Sequence, residues 1–111
     1  MFVIVTKYLF PNGFSGMAIF PFIFLKEKKD ISNSVMIRHE KIHIKQQLEL
    51  LIIPFFIWYF LEFLFRCLEY KDVHKAYKNI SFEREAYANE LEADFLNKRP
   101  LWNFIKYLKL K

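Results

Sequence analysis

Arg38-His39-Glu40-Lys41-Ile42-His43, inside a helix predicted over residues 32–51, is where the reading of this chain begins. It contains His-Glu-x-x-His. Residues four apart on an α-helix lie one above the other on the same face. His39 and His43 can therefore offer two imidazole nitrogens to one Zn²⁺, with Glu40 beside them to take a proton from a water on the metal. Each residue type suits that chemistry. Neutral imidazole is a good zinc ligand, a carboxylate is a good base, and the metal lowers the pKa of its water toward neutrality.

The helical phase gives an independent test. Advancing about 100° per residue, Arg38, Lys41, Lys45 and Glu49 fall on one narrow stripe that reads as the solvent face. The opposite face holds Met36, His39, Glu40, His43 and Gln47. The polar residues of the motif thus point inward, where an unpaired polar group is costly. A metal site explains that cluster better than two satisfied core histidines.

With 111 residues the chain suits one domain, 1–111. It is 54% hydrophobic and 20% aromatic with only 2 Gly, which excludes a disordered or collagenous chain and fits a helical protein with a bulky core or a membrane-facing surface. The single Cys67 precludes an internal disulfide and reads as a packing residue in an apolar run. A formal charge of +5 favours anionic partners. No nucleic-acid motif is present, so no specific nucleic acid is expected. The first ten residues have neither a basic n-region nor a small-residue cleavage site, so no signal peptide is read and the expected location is cytoplasmic or peripheral to a membrane.

Two apolar runs precede the motif, residues 2–5 and 17–25, separated by Pro11-Asn12-Gly13. They read as two strands around a turn, the second demoted to an edge by Pro21, which has no ladder donor. Ser32 or Ser34 is the expected cap of the motif helix. Residues 50–61 are uncharged and cover about 18 Å as helix, short of the roughly 30 Å of a bilayer core. They read as a core helix or one lying at a membrane interface, with Pro54 kinking it or starting a new helix. Residues 70–80 read as irregular or a short helix. Residues 81–98 read as a helix capped by Ser81 and stopped before Pro100. Residues 101–111 read as a short final helix with Trp102, Ile105 and Leu108 against Lys106, Lys109 and Lys111, either a membrane-surface element or a solvated flank.

Two histidines leave a zinc short of protein donors, since catalytic sites usually have three. The stretch beginning at Ser81 supplies glutamates. His39-Glu40-x-x-His43 followed by Ser81-x-x-Arg84-Glu85-x-x-Ala88-Asn89 resembles the gluzincin metallopeptidases, nearest to the membrane-associated group whose third ligand is the Glu of Glu-x-x-Ala-Asp. The resemblance implies Glu85 as third ligand. It leaves Asn89 where the family has an Asp that orients a ligand histidine. Phe82, Ala86, Asn89, Ala93 and Leu96 form the apolar stripe of this helix, and Glu85 borders it. Glu83 and Glu90 offer rival registers, in that order.

The resemblance further implies a substrate peptide added as a strand to residues 17–25, and a Tyr or His for the oxyanion, with His74, Tyr77 and Tyr87 as candidates. The expected fold is α+β and mainly helical, a short N-terminal hairpin or edge strand on three to four helices. The expected activity is zinc-dependent peptide hydrolysis with Glu40 as base, on a peptide or protein substrate and with possible peripheral membrane contact. The alternatives are a non-catalytic zinc-stabilised module and a membrane-surface binder.

Overall fold

The computed structural model describes residues 2–11 and 13–110, so Asn12 of the expected turn and Lys111 of the tail lie outside the described residues. The architecture is α+β and mainly helical. Among the described residues three short strands, β1 (Phe2–Val5), β2 (Gly16–Ile19) and β3 (Phe22–Leu25), precede five helices. These are α1 (Ser34–Glu49), α2 (Ile53–Tyr70), α3 (Val73–Lys78), α4 (Ser81–Asn89) and α5 (Phe95–Lys98). Single 3₁₀ segments, Lys28–Ser32 and Asn103–Tyr107, lie before α1 and after α5.

The sheet corrects the expected hairpin. Its order is β1-β3-β2: β3 pairs antiparallel with β2 and parallel with β1. The apolar run 17–25 is broken at Phe20-Pro21, because proline cannot continue the ladder. Its second half becomes the central strand, and the edge beside α1 is β2. Gln47 of α1 already closes part of that edge, accepting from the Phe20 amide at 2.7 Å and donating to the Ala18 carbonyl at 2.7 Å.

α1 is capped by Asn33, whose side chain accepts from the Met36 amide at 3.1 Å; neither serine has that role. Its inward face is as expected, with His39, Glu40, His43 and Gln47 buried. The outer stripe is only partly solvated: Lys41 and Lys45 are exposed, whereas Glu49 and Arg38 are half-buried and partnered. Pro54 starts a new helix. Leu51 and Ile52 both take positive φ, 64° and 58°, and α2 leaves at 113° to α1 with Pro54 in its first turn, where a missing amide donor costs nothing.

The expected helix 81–98 is two helices. α4 ends at Asn89 and α5 begins at Phe95, with turn residues between. The tail is a 3₁₀ segment whose backbone is held by two arginines: Arg84 donates to the carbonyls of Tyr107 and Lys109, and Arg66 to that of Lys109.

Among the described residues, apolar burial is split into three clusters rather than one core. Leu50, Phe55, Ile80, Phe82 and Phe104 join α2 to α4 and the tail. Ala18, Ile23, Leu25 and Ile44 join the sheet to α1. Ile42, Ala86 and Phe95 join α1, α4 and α5. A fully enclosed phenylalanine such as Phe82 contributes about 1.5–3 kcal/mol by leaving water. Among these clusters lies a buried polar group formed by α1 and α4.

Candidate metal centre

One turn apart on α1, His39 and His43 present their rings edge to face, with centroids 4.9 Å apart. Facing them is the first turn of α4. That turn is fixed by a residue of another helix: Glu62 of α2 accepts from the Ser81 amide at 2.6 Å and the Ser81 hydroxyl at 2.7 Å, and Ile80 at the N-cap supplies no side-chain cap. A carboxylate on the free amides and positive dipole end of a helix is a stabilising arrangement. It anchors the turn that carries Glu83.

Glu83 Oε1 lies 3.0 Å from His39 Nε2 and 3.0 Å from His43 Nε2, and the two nitrogens are 3.3 Å apart. All three side chains are buried. The other ring nitrogens fix the protonation pattern. His39 Nδ1 meets Glu90 Oε2 at 2.7 Å, and His43 Nδ1 meets Gln46 Oε1 at 2.8 Å. The Gln46 amide cannot be turned round, because its Nε2 donates to the Phe82 carbonyl at 3.1 Å and to Glu85 Oε1 at 2.9 Å. Both partners of the histidines are therefore acceptors, and both Nδ1 atoms carry protons.

Neutral imidazoles so arranged aim two Nε2 lone pairs and a carboxylate oxygen at one point. Three acceptors this close and shielded from water repel one another unless a cation or a proton lies between them. The spacing suits a metal ion. Tetrahedral zinc with bonds of about 2.0–2.1 Å sets its ligand atoms about 3.3 Å apart. His39, His43 and Glu83 thus form a group able to hold a metal ion. Tyr59 of α2 steadies the carboxylate from behind, its hydroxyl donating to Glu83 Oε2 at 2.6 Å.

Without metal, protons answer the same demand. Burial alone would raise Glu83 and lower His43, but each reverses the other's shift: the imidazoles hold the Glu83 carboxyl well below its usual range, and His43 is lifted to about 9.

The three glutamates of α4 and its end face different partners. Glu85, the residue implied as third ligand, is fully enclosed but faces away from the histidines. Arg99 donates to it from Nε at 2.5 Å and Nη2 at 3.0 Å, and Asn103 at 3.1 Å. The same Arg99 reaches Glu49 of α1 at 2.9 Å, so Glu85 belongs to a buried ionic tie among α1, α4 and the segment after α5. Glu83 is the glutamate grouped with the two histidines. Glu90 is the carboxylate that orients His39, the part expected of Asn89. Asn89 instead donates to the Glu85 carbonyl and the Tyr107 hydroxyl.

Glu40 sits between two lobes of a cleft. One has a mixed lining that includes Gly16, Met36, His39, His74, Tyr77 and Glu90. The other is mainly apolar, lined by Met17, Ala18, Phe55, Phe56, Tyr59 and, at its floor, Glu40, His43 and Glu83. Burial raises the Glu40 pKa, the histidines pulling against it. Its carboxylate lies against Gly16 of β2, where an added Cβ would come within 2.9 Å of Glu40 Oε2. Tyr77 lines both lobes. Tyr87 packs its ring on His39 at 4.5 Å, and His74 is exposed and stacked on Phe14.

Tyr59, Glu62 and Gln46 belong to this site and were not read from the sequence. Tyr59 and Glu62 lie in an apolar run whose register against α4 only the fold sets. Gln46 stands three residues after His43, a spacing that allows contact on a helix, and this was the available clue. Comparison of the chain with protein-family models, with curated proteins and with solved structures finds no match.

Proposed function

We propose that this chain is a small zinc-dependent metallopeptidase of the gluzincin type. The observation that carries the reading is the convergence of His39 Nε2, His43 Nε2 and Glu83 Oε1 within 3.0–3.3 Å, where the two lobes of the cleft adjoin at Glu40. A zinc ion bound there would supply Lewis acidity and a water of lowered pKa. Three protein donors, rather than the four of a closed structural site, favour a catalytic over a purely stabilising metal.

The chain's own residues account for the remaining steps. Alternation along β2 turns the backbone groups of Gly16 to its outer edge, so an extended peptide can pair there beside Glu40. Glu40, its pKa raised by burial, accepts a proton from the attacking water and passes it to the departing amide nitrogen. Tyr77, bordering both lobes with Glu40, is the hydroxyl best sited to donate to the oxygen of the tetrahedral carbon. Glu90, Gln46 and Tyr59 keep His39, His43 and Glu83 in register.

The test is metal content followed by peptide hydrolysis. The wild type should hold about one zinc per chain and cleave an unstructured peptide mixture. Glu40→Gln should keep the zinc and lose turnover. Zinc retained with no turnover in the wild type would leave a metal-stabilised module, and no zinc uptake would sink the reading altogether.

A further inference from the structure

We propose that the outer face of α2, with the tail segment beside it, is a docking surface for an anionic lipid bilayer. The helix is apolar on its outer face as well as its inner one. Ile53, Phe56, Ile57, Phe60, Leu61, Leu64, Phe65 and Leu68 recur at three- and four-residue spacing, and all eight are exposed. Its charges point inward. Glu62 and Arg66 are buried and pair with each other, Glu62 also holding Ser81 and Arg66 the tail. A stripe of fifteen or so residues runs about 23 Å at the helical rise, and apolar faces of that extent on soluble surfaces mark interaction sites.

The surface continues onto the tail. Trp58, Leu61 and Phe65 line a groove with Leu108, Lys109 and Leu110. Leu101, Ile105 and Leu110 are exposed as well.

Charge decides between a bilayer and a second copy of the chain. Lys109 sits in the groove, and Lys71 follows the last turn of α2. The neighbouring acids are turned to other work: Glu62 is buried, Glu69 pairs with Arg66 at 2.7 Å, and Asp72 caps α3. A second copy would therefore bring no acid from this face to meet the lysines, whereas anionic headgroups would. Among the described residues no single helix is long and apolar enough to cross a membrane, so the geometry is that of a helix lying in the interface with lysines at the headgroups. Phe56 belongs both to the stripe and to the apolar lobe of the cleft, which brings that lobe to the edge of the docked face.

The experiment is co-sedimentation of the full chain with vesicles of phosphatidylcholine alone and of phosphatidylcholine mixed with phosphatidylglycerol, with sedimentation equilibrium in their absence. The wild type should bind both, the anionic mixture more tightly, and bind equally with chelator present. The double variant Phe60→Ser, Leu64→Ser should partition at least about tenfold less, with an unchanged circular dichroism spectrum. Lys71→Gln and Lys109→Gln should each reduce the preference for anionic vesicles by about fivefold. No binding by the wild type overturns the proposal. So does a vesicle-free dimer that the serine variant dissociates, since the face would then belong to a second copy. Because chelator leaves the expected result untouched, its failure is separable from failure of the zinc reading.

Discussion

Glu83 and Glu85 stand two residues apart on α4, both enclosed, and face different partners: Glu83 the two histidines of α1, Glu85 the guanidinium of Arg99. Two positions on a helix differ by about 200°, so only one of them can face α1's histidines. The variants should separate accordingly. Glu83→Ala should abolish zinc binding. Glu85→Ala leaves buried donors of Arg99, Asn103 and Gln46 without their acceptor and should destabilise the fold by about 3–5 kcal/mol. It should still take up zinc, with affinity reduced because Gln46, which holds His43, loses its anchor. Denaturant melts beside zinc titrations check both, and loss of zinc in Glu85→Ala at full stability would reverse the assignment.

This division explains how far the sequence could be read. The inward placement of His39, Glu40 and His43 on α1 was legible because a motif on one helix fixes their mutual geometry by itself. The phase of α4 is not fixed that way. Ser81 was read as a local cap and is instead bound by Glu62 from α2, which sets where the helix begins. The α+β class was legible from the apolar runs and helical periods. The strand order was not, since parallel pairing of β1 with β3 depends on contacts twenty residues apart.

Tyr59 contributes to the centre without touching the metal position. Its hydroxyl donates to Glu83 Oε2 at 2.6 Å, the oxygen not shared with the histidines. Tyr59→Phe removes that donor while keeping the ring against Phe82. Zinc affinity should fall about 10–100-fold, as is typical when a ligand loses its orienting partner. A chelator competition titration reads this directly. Unchanged affinity would mean that the carboxylate is held by the histidines alone.

A zinc ion held by these residues would compete with protons. His43 is lifted to about 9 from its ordinary 6.5, the Glu83 carboxylate overcoming the effect of burial. Below about pH 9, zinc affinity should rise about tenfold per pH unit for each proton displaced, then level off. The metal-free chain behaves oppositely. Its folded His43 pKa lies above the unfolded value, so that contact stabilises fully below about 6.5 and is lost as the pH rises through about 9. Apparent zinc affinities across this range, with melts of the apo-protein beside them, measure both slopes. A flat affinity profile would contradict the proton count.

Gly16 offers the sharpest separation of catalysis from folding. A Cβ there would meet Glu40 Oε2 at 2.9 Å and its carboxyl carbon at 3.4 Å, while meeting no backbone atom among its nearest neighbours. The carboxylate is the end of a flexible side chain and can move, and the strand conformation of residue 16 accepts any side chain. Gly16→Ala should therefore change stability by no more than about 1 kcal/mol and leave zinc content at the wild-type level. Turnover should nonetheless drop by at least about tenfold, because a base displaced by a fraction of an ångström no longer meets its proton in line. The loss should appear in kcat rather than in KM if the peptide still pairs with the edge of β2. Wild-type turnover in Gly16→Ala would show that Glu40 has room to work elsewhere, and the role of the close approach would have to be given up.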